Sequence, residues 1–160
     1  MSLSFRNIRK ILVPIDGSNY SRCAAEYCLG IAKMLDAEII VVHVIDELVL
    51  DQISTITKRA NVERELKQSS QHYINHVLDL AEKAGVKACS LIVKGGPFEQ
   101  IVHLAKELNV GLIVMGTYGR RGTERILIGS VAERTIEYSP CPVLVINKKS
   151  GSEICQEKER

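Results

Sequence analysis

No stretch of this chain approaches the roughly 18 consecutive apolar residues that a membrane span requires, and Met1 to Lys10 hold no apolar run of signal-peptide length. These absences predict a chain that stays in the cytosol and away from membranes. Basic residues form no block either: 21 lysines and arginines are interspersed with 19 aspartates and glutamates, for a formal net charge of +2. A nucleic-acid footprint, which needs a one-signed patch or stripe, is therefore not predicted. The five cysteines, Cys23, Cys28, Cys89, Cys141 and Cys155, are odd in number and include no Cys-x-x-Cys pair, which favours reduced thiols over a disulfide framework. Two familiar phosphate signatures are missing too, Gly-x-x-x-x-Gly-Lys-Ser/Thr and Gly-x-Gly-x-x-Gly.

What is present is an ordinary globular composition, 46% hydrophobic and 25% charged over 160 residues, close to the usual size of one domain. We read residues 1–149 as that domain and residues 150–160 as a polar, solvated tail. Five short runs rich in Val and Ile recur along it: Ile11 to Ile15, Ile39 to Ile45, Ala88 to Val93, Leu112 to Met115 and Val143 to Ile146. Most are continuous rather than alternating, as strands buried on both faces are. Helical spacing appears between them at Ala25, Cys28, Leu29, Ala32 and Leu35, then over Leu66 to Ala81 with Gly85 as a stop, then at Phe98 to Leu108 after Pro97. A last helix is predicted from Ser130 to Tyr138, ahead of Pro140. Strand and helix in alternation mean a parallel sheet covered on both faces. The segment Asp46 to Asn61 carries Leu48, Val49, Leu50, Ile53 and Ile56 among polar residues, and reads equally as loop, short helix or partner surface.

The chemistry concentrates after the fourth strand. Met115 leads into Gly116-Thr117-Tyr118-Gly119, and ten positions later the chain reaches Gly129-Ser130 at the start of the last helix. Glycines at a strand-to-helix turn let bare amides approach an anion closely. A helix starting at Gly129 adds unpaired N–H groups and the positive end of its dipole, and Ser130 adds a hydroxyl donor. Such a construction suits a phosphate. Arg120, Arg121 and Arg125 could neutralise part of a polyphosphate's charge.

This spacing, glycine, two residues, glycine, nine residues, glycine-serine, resembles that of the ATP-binding members of the universal stress protein family. The resemblance extends to Ile11-Leu12-Val13-Pro14-Ile15-Asp16-Gly17-Ser18 at the first strand, His43-Val44-Ile45-Asp46 at the second and Ser139 to Ile146 at the last. It implies an open five-stranded parallel sheet in the order 3-2-1-4-5, Rossmann-like and akin to the adenine nucleotide alpha hydrolases, with helices on both faces. The order reverses between strands one and four, and ligands bind at such switch points. The resemblance further implies that Val44 meets adenine through its backbone, with Ile15 and Met115 sandwiching the ring beside Pro14. Asp16 would lie near ribose and phosphates and act through Mg²⁺, and Gly116, Gly119, Arg120, Gly129, Ser130 and Val131 would hold the phosphates. Thr117 and Tyr118 stand where the family varies, and Gly122 adds unexplained freedom.

Simpler readings stand beside these. Asp16-Gly17-Ser18 is also an ordinary helix-start sequence, and an isolated glycine pair is ordinarily a turn. His43 reads as a satisfied buried histidine, while His72 and His76, four apart on a helix, read as a solvated face because no third ligand completes a metal site. No dedicated catalytic base is visible. The expected function is an ATP-binding (or AMP- or ADP-binding) regulatory module, a nucleotide-dependent homodimeric switch in stress response that pairs through Val143 to Ile146. A slow ATPase or nucleotidyl-transfer enzyme is the first alternative and a nucleotide-independent dimeric scaffold the second.

Overall fold

The computed structural model describes residues 8–53, 55–118 and 128–147. Its elements run β1 (Lys10–Pro14), α1 (Asn19–Leu35), β2 (Glu38–Asp46), α2 (Glu47–Asp51), α3 (Ile56–Ala84), β3 (Ala88–Gly95), α4 (Pro97–Glu107), β4 (Leu112–Gly116), α5 (Ser130–Tyr138) and β5 (Val143–Ile146). The strands form one sheet in the order β3-β2-β1-β4-β5, every neighbouring pair parallel. This is the order expected from the resemblance. The strand order reverses at β1, which pairs with β2 from Lys10↔Glu38 to Pro14↔Val42 and with β4 at Ile11↔Leu112 and Leu12↔Ile113.

The continuous apolar runs are explained by two cores. Ile11, Val13 and Ile15 turn to the face covered by α1 and α3, where they meet Ala25, Cys28, Ile74 and Val77. Leu12, Ile113 and Met115 turn to the opposite face, against Ile101, Leu104 and Ala105 of α4 and Ala132 of α5. Alternate residues of one strand thus feed alternate layers, and each fully buried Ile or Leu contributes about 1.5–3 kcal/mol. Helix ends follow local chemistry. Gly85 closes α3 with φ 70°, Pro97 occupies the first turn of α4, where its missing N–H costs nothing, and α5 ends two residues before Pro140.

The largest departure from the sequence reading lies between β2 and the long helix. The short-helix reading holds for the first part of that segment, where α2 follows β2 directly, but α3 begins at Ile56, ten residues before the apolar pattern starts at Leu66. Those extra turns project with Ile56 89% exposed, so no core-facing periodicity marks them. Arg59 Nη1 is 2.8 Å from Asp51 Oδ1, and Glu63 pairs with both Lys67 and Lys94. Cys28, Cys89 and Cys141 carry free thiols, as the sequence predicts for them. Burial pushes the Cys28 thiol up to about 12, which keeps it in the inert protonated form. The tail at 150–160 lies outside the described residues.

Candidate functional site

The carboxyl ends of β1 and β4 stand side by side at the point of reversal, and each leads into a helix on a different face. After β1, the chain turns through Asp16, Gly17 and Ser18. Asp16 Oδ1 accepts from Ser18 N at 2.9 Å, and Ser18 Oγ accepts from Ser21 N at 3.1 Å, capping α1. Ser21 Oγ donates back to the Ser18 carbonyl at 3.0 Å. Gly17 holds φ 82°, and any Cβ there would run into the ring of Tyr73 on α3, so glycine is required twice over. Of the two caps that the sequence offered, Ser18 performs the role, and Asp16 shapes the turn before it by accepting from Ser18 N.

The turn after β4 is built differently. A Cβ on Gly116 would come within 2.8 Å of the Tyr20 carbonyl carbon, so this glycine lets the first turn of α1 press against the strand end. Thr117 anchors the next step, its N–H and its hydroxyl each 2.9 Å from the Ile146 carbonyl. Gly129 N then donates to the Thr117 carbonyl at 2.8 Å, which fixes the start of α5 beside the end of β4. Gly129 sits at φ −72°, ψ 151°, and no side chain caps the helix that follows. Ser130 is exposed and Val131 half-buried. The first amides of α5 therefore open towards solvent with a positive dipole end behind them. Above Gly116, the rings of Tyr20 and Tyr118 meet edge to face, 5.2 Å between centroids.

Of the residues expected to bind, Pro14, Asp16, Met115, Gly116, Gly129, Ser130 and Val131 lie on β1, β4, α5 or the turns adjoining them, and Val44 is one strand away on β2. Gly119 and Arg120, with Arg121, Gly122 and Arg125, lie outside the described residues. The expected sandwich needs revision, because Ile15 and Met115 belong to opposite cores. Their side chains cannot clasp one ring within a layer. Val44 and Met115 share the α4–α5 face, and that pair has the better common orientation.

His43 is buried, 8% exposed, and its Nδ1 donates to the Ile15 carbonyl at 2.8 Å. It is a satisfied core histidine, as its sequence context suggested, but its partner is the strand end that leads into Asp16. Sequence reasoning missed this link, and it missed Tyr20. The only signal for His43 was a polar residue inside an apolar run next to Val44. His72 and His76 line a cavity of about 330 Å³ on the other side of the β1–α1 turn, together with Arg22, Tyr73 and Ser18. Among the described residues no group of three or more His, Cys, Asp or Glu is placed to hold a metal, and no helix is long and apolar enough to cross a membrane.

Comparison with known proteins is consistent along the chain. The model of the universal stress protein family matches residues 7–147. A universal stress protein of Methanocaldococcus jannaschii is 40% identical over 140 residues, spanning 88% of this chain and 82% of its own length. A hypothetical protein whose biochemical function was assigned from its structure superposes with a TM-score of 0.77 and 30% identity, over 88% of this chain and 96% of that one. A universal stress protein solved in complex with cAMP superposes with a TM-score of 0.68 over 88% of this chain and 97% of its own. Its 24% identity makes it a likeness of fold.

Proposed function

Because the chain belongs to the universal stress protein family, matched from residue 7 to residue 147, we propose that it binds an adenine nucleotide in the crevice between β1 and β4. ATP is the leading ligand, with ADP and AMP as alternatives. The observation that carries this reading is the start of α5: uncapped, and held at the strand reversal by the 2.8 Å bond from Gly129 N to Thr117 O. Bare helix amides at a switch point are an anion site. Gly116, Gly119, Arg120, Gly129, Ser130 and Val131 take the phosphates in this proposal. Val44 takes the base, with Met115, which packs on the same face of the sheet, and Pro14 beside it. Asp16 acts through Mg²⁺, because a bare carboxylate repels a polyphosphate. The neighbour of the same fold that was solved with cAMP supports a nucleotide of this class.

Binding rather than turnover is the function proposed. Phosphoryl transfer needs a positioned group to orient the nucleophile, and Asp16 Oδ1 is already engaged by Ser18 N. The chain acts as a nucleotide-dependent switch in a homodimer, pairing through β5. That strand lies at an edge of the sheet, where unpaired backbone groups template a second copy. Mass spectrometry of nucleotide released by denaturing the purified protein tests the first part. An adenine nucleotide is expected, and the absence of any retained or titratable nucleotide would defeat the proposal. Analytical ultracentrifugation tests the second, and a monomer at micromolar concentration would remove the dimer from it.

A further inference from the structure

The rung that would extend the β1–β2 ladder beyond Ile15 is not made, and a histidine stands in its place. In a parallel ladder, alternate residues of a strand direct N–H and C=O to the same neighbour. The phase of β2 is fixed at several points. Glu38 N donates to Arg9 O at 2.9 Å and Val42 O accepts from Ile15 N at 2.8 Å, so even-numbered residues face β1; Ile39 N donates to Lys87 O at 2.9 Å, so odd-numbered ones face β3. Val44 therefore turns both its N–H and its C=O towards β1. A regular ladder would continue with Val44 N donating to the Ile15 carbonyl. That carbonyl instead accepts from His43 Nδ1, and Gly17, at φ 82°, leads the chain out of the sheet. Among the described residues, Val44 has no backbone partner on its β1 side.

We propose that His43 is a positioning residue for base recognition. By occupying the Ile15 carbonyl, it stops β2 from zipping onto β1 and holds the Val44 backbone open as a paired donor and acceptor. Such an edge complements the adjacent N1 acceptor and N6 amino donor of adenine, whereas guanine presents the reverse polarity there. The inference rests on the nucleotide reading above and names the device that makes its base subsite available. Burial of the ring fits this role, because a ring held at 8% exposure keeps the carbonyl engaged whether or not a ligand is present. Val44 itself is half-buried, so water can serve its edge until a base replaces it.

Two variants separate positioning from mere structure. His43→Val removes the competing donor and lets the rung from Val44 to Ile15 close, whereas the side-chain amide of His43→Asn can donate much as Nδ1 does. Calorimetry with AMP and with ribose 5-phosphate, which lacks the base, is the measurement. In the wild type AMP should bind the tighter of the two. His43→Val should weaken AMP about tenfold or more, the worth of two modest hydrogen bonds, leave ribose 5-phosphate unchanged, and keep or raise the urea midpoint. His43→Asn should retain most of the preference for AMP. A His43→Val protein that folds and still prefers AMP as the wild type does would overturn the inference. Hydrogen exchange at the Val44 amide of the wild type gives a second reading that needs no variant. Rapid exchange without ligand and protection by AMP are expected, and protection already present without ligand would show the rung closed and the idea wrong. If the wild type bound neither ligand, the nucleotide proposal would fall as well. If it bound both equally, the phosphate site would survive and only this inference would fail.

Discussion

At the start of α1, Ser18 Oγ and Asp16 Oδ1 satisfy backbone amides within the turn itself. At the start of α5, hydrogen-bonded to Thr117 just past the end of the adjacent strand, Gly129 offers no side chain and its helix has no cap. Both helices leave neighbouring strands at the same reversal in the sheet, so their surroundings are alike and their sequences make the difference. A helix that completes its own hydrogen bonds has little left for a ligand. One that begins on glycine keeps its amides for something brought from outside, at a modest cost in its own stability. The division of labour at this mouth is therefore between a structural start and a receptive one.

The comparison breaks most visibly if a side chain is placed at the receptive start. Gly129→Val should fold normally, because φ −72° suits valine, yet lose AMP and ATP affinity by about a hundredfold, the loss of two charge-assisted bonds. Unchanged affinity by calorimetry would mean that α5 is not the anion site. Next in size is Gly116→Val, which should act on stability first. Its Cβ would meet Tyr20 backbone at 2.8 Å, and overpacking that cannot relax costs about 1–3 kcal/mol, read as a lower urea midpoint. A midpoint within error of wild type would show that the two helices are not braced against each other there. Ser18→Ala should cost about 1 kcal/mol of stability through the lost cap while leaving nucleotide affinity nearly constant. A large affinity change would instead put the α1 start among the ligand contacts. The smallest stability effect belongs to Asp16→Asn, roughly a few tenths of a kcal/mol, because the side-chain oxygen of asparagine can accept from Ser18 N as that of aspartate does. Its nucleotide affinity should lose its dependence on added Mg²⁺, and an unaltered Mg²⁺ titration would remove the metal role from Asp16.

Much of this architecture could be read from residue order alone, for definite reasons. Strands buried on both faces must be apolar throughout, so Ile39 to Ile45 and Leu112 to Met115 announced themselves. Gly85, Pro97 and Pro140 then punctuated the helices between them. The first turns of α3 stayed hidden because helix without a core to cover carries no apolar period, and there the ion pairs of Asp51, Glu63 and their partners take over. The site divides the same way. Gly129 could be recognised because glycine at a helix start is a local feature. The tie between His43 and the Ile15 carbonyl joins residues 28 apart, and the crowding of Gly116 by Tyr20 spans most of the chain. Neither leaves a mark on neighbouring residues, which is why the expected clasp by Ile15 and Met115 also missed the fact that they serve different cores.

The position of β1 in the middle of the sheet has a consequence in time as well as in space. Its β2 side pairs residues fewer than thirty positions apart, but its β4 side joins Ile11 to Leu112, and contacts of such separation form slowly because a long loop must close first. During synthesis β1, β2 and β3 are complete well before β4 emerges. Pulsed hydrogen exchange should accordingly find the amide of Val114, which faces β1 because that of Ile113 is turned to Pro142 at the start of β5, protected later than that of Ile40. The crevice proposed to receive the nucleotide is then the last seam of the molecule to close, so a ligand that spans it would act on a protein whose final folding step and binding step share the same residues.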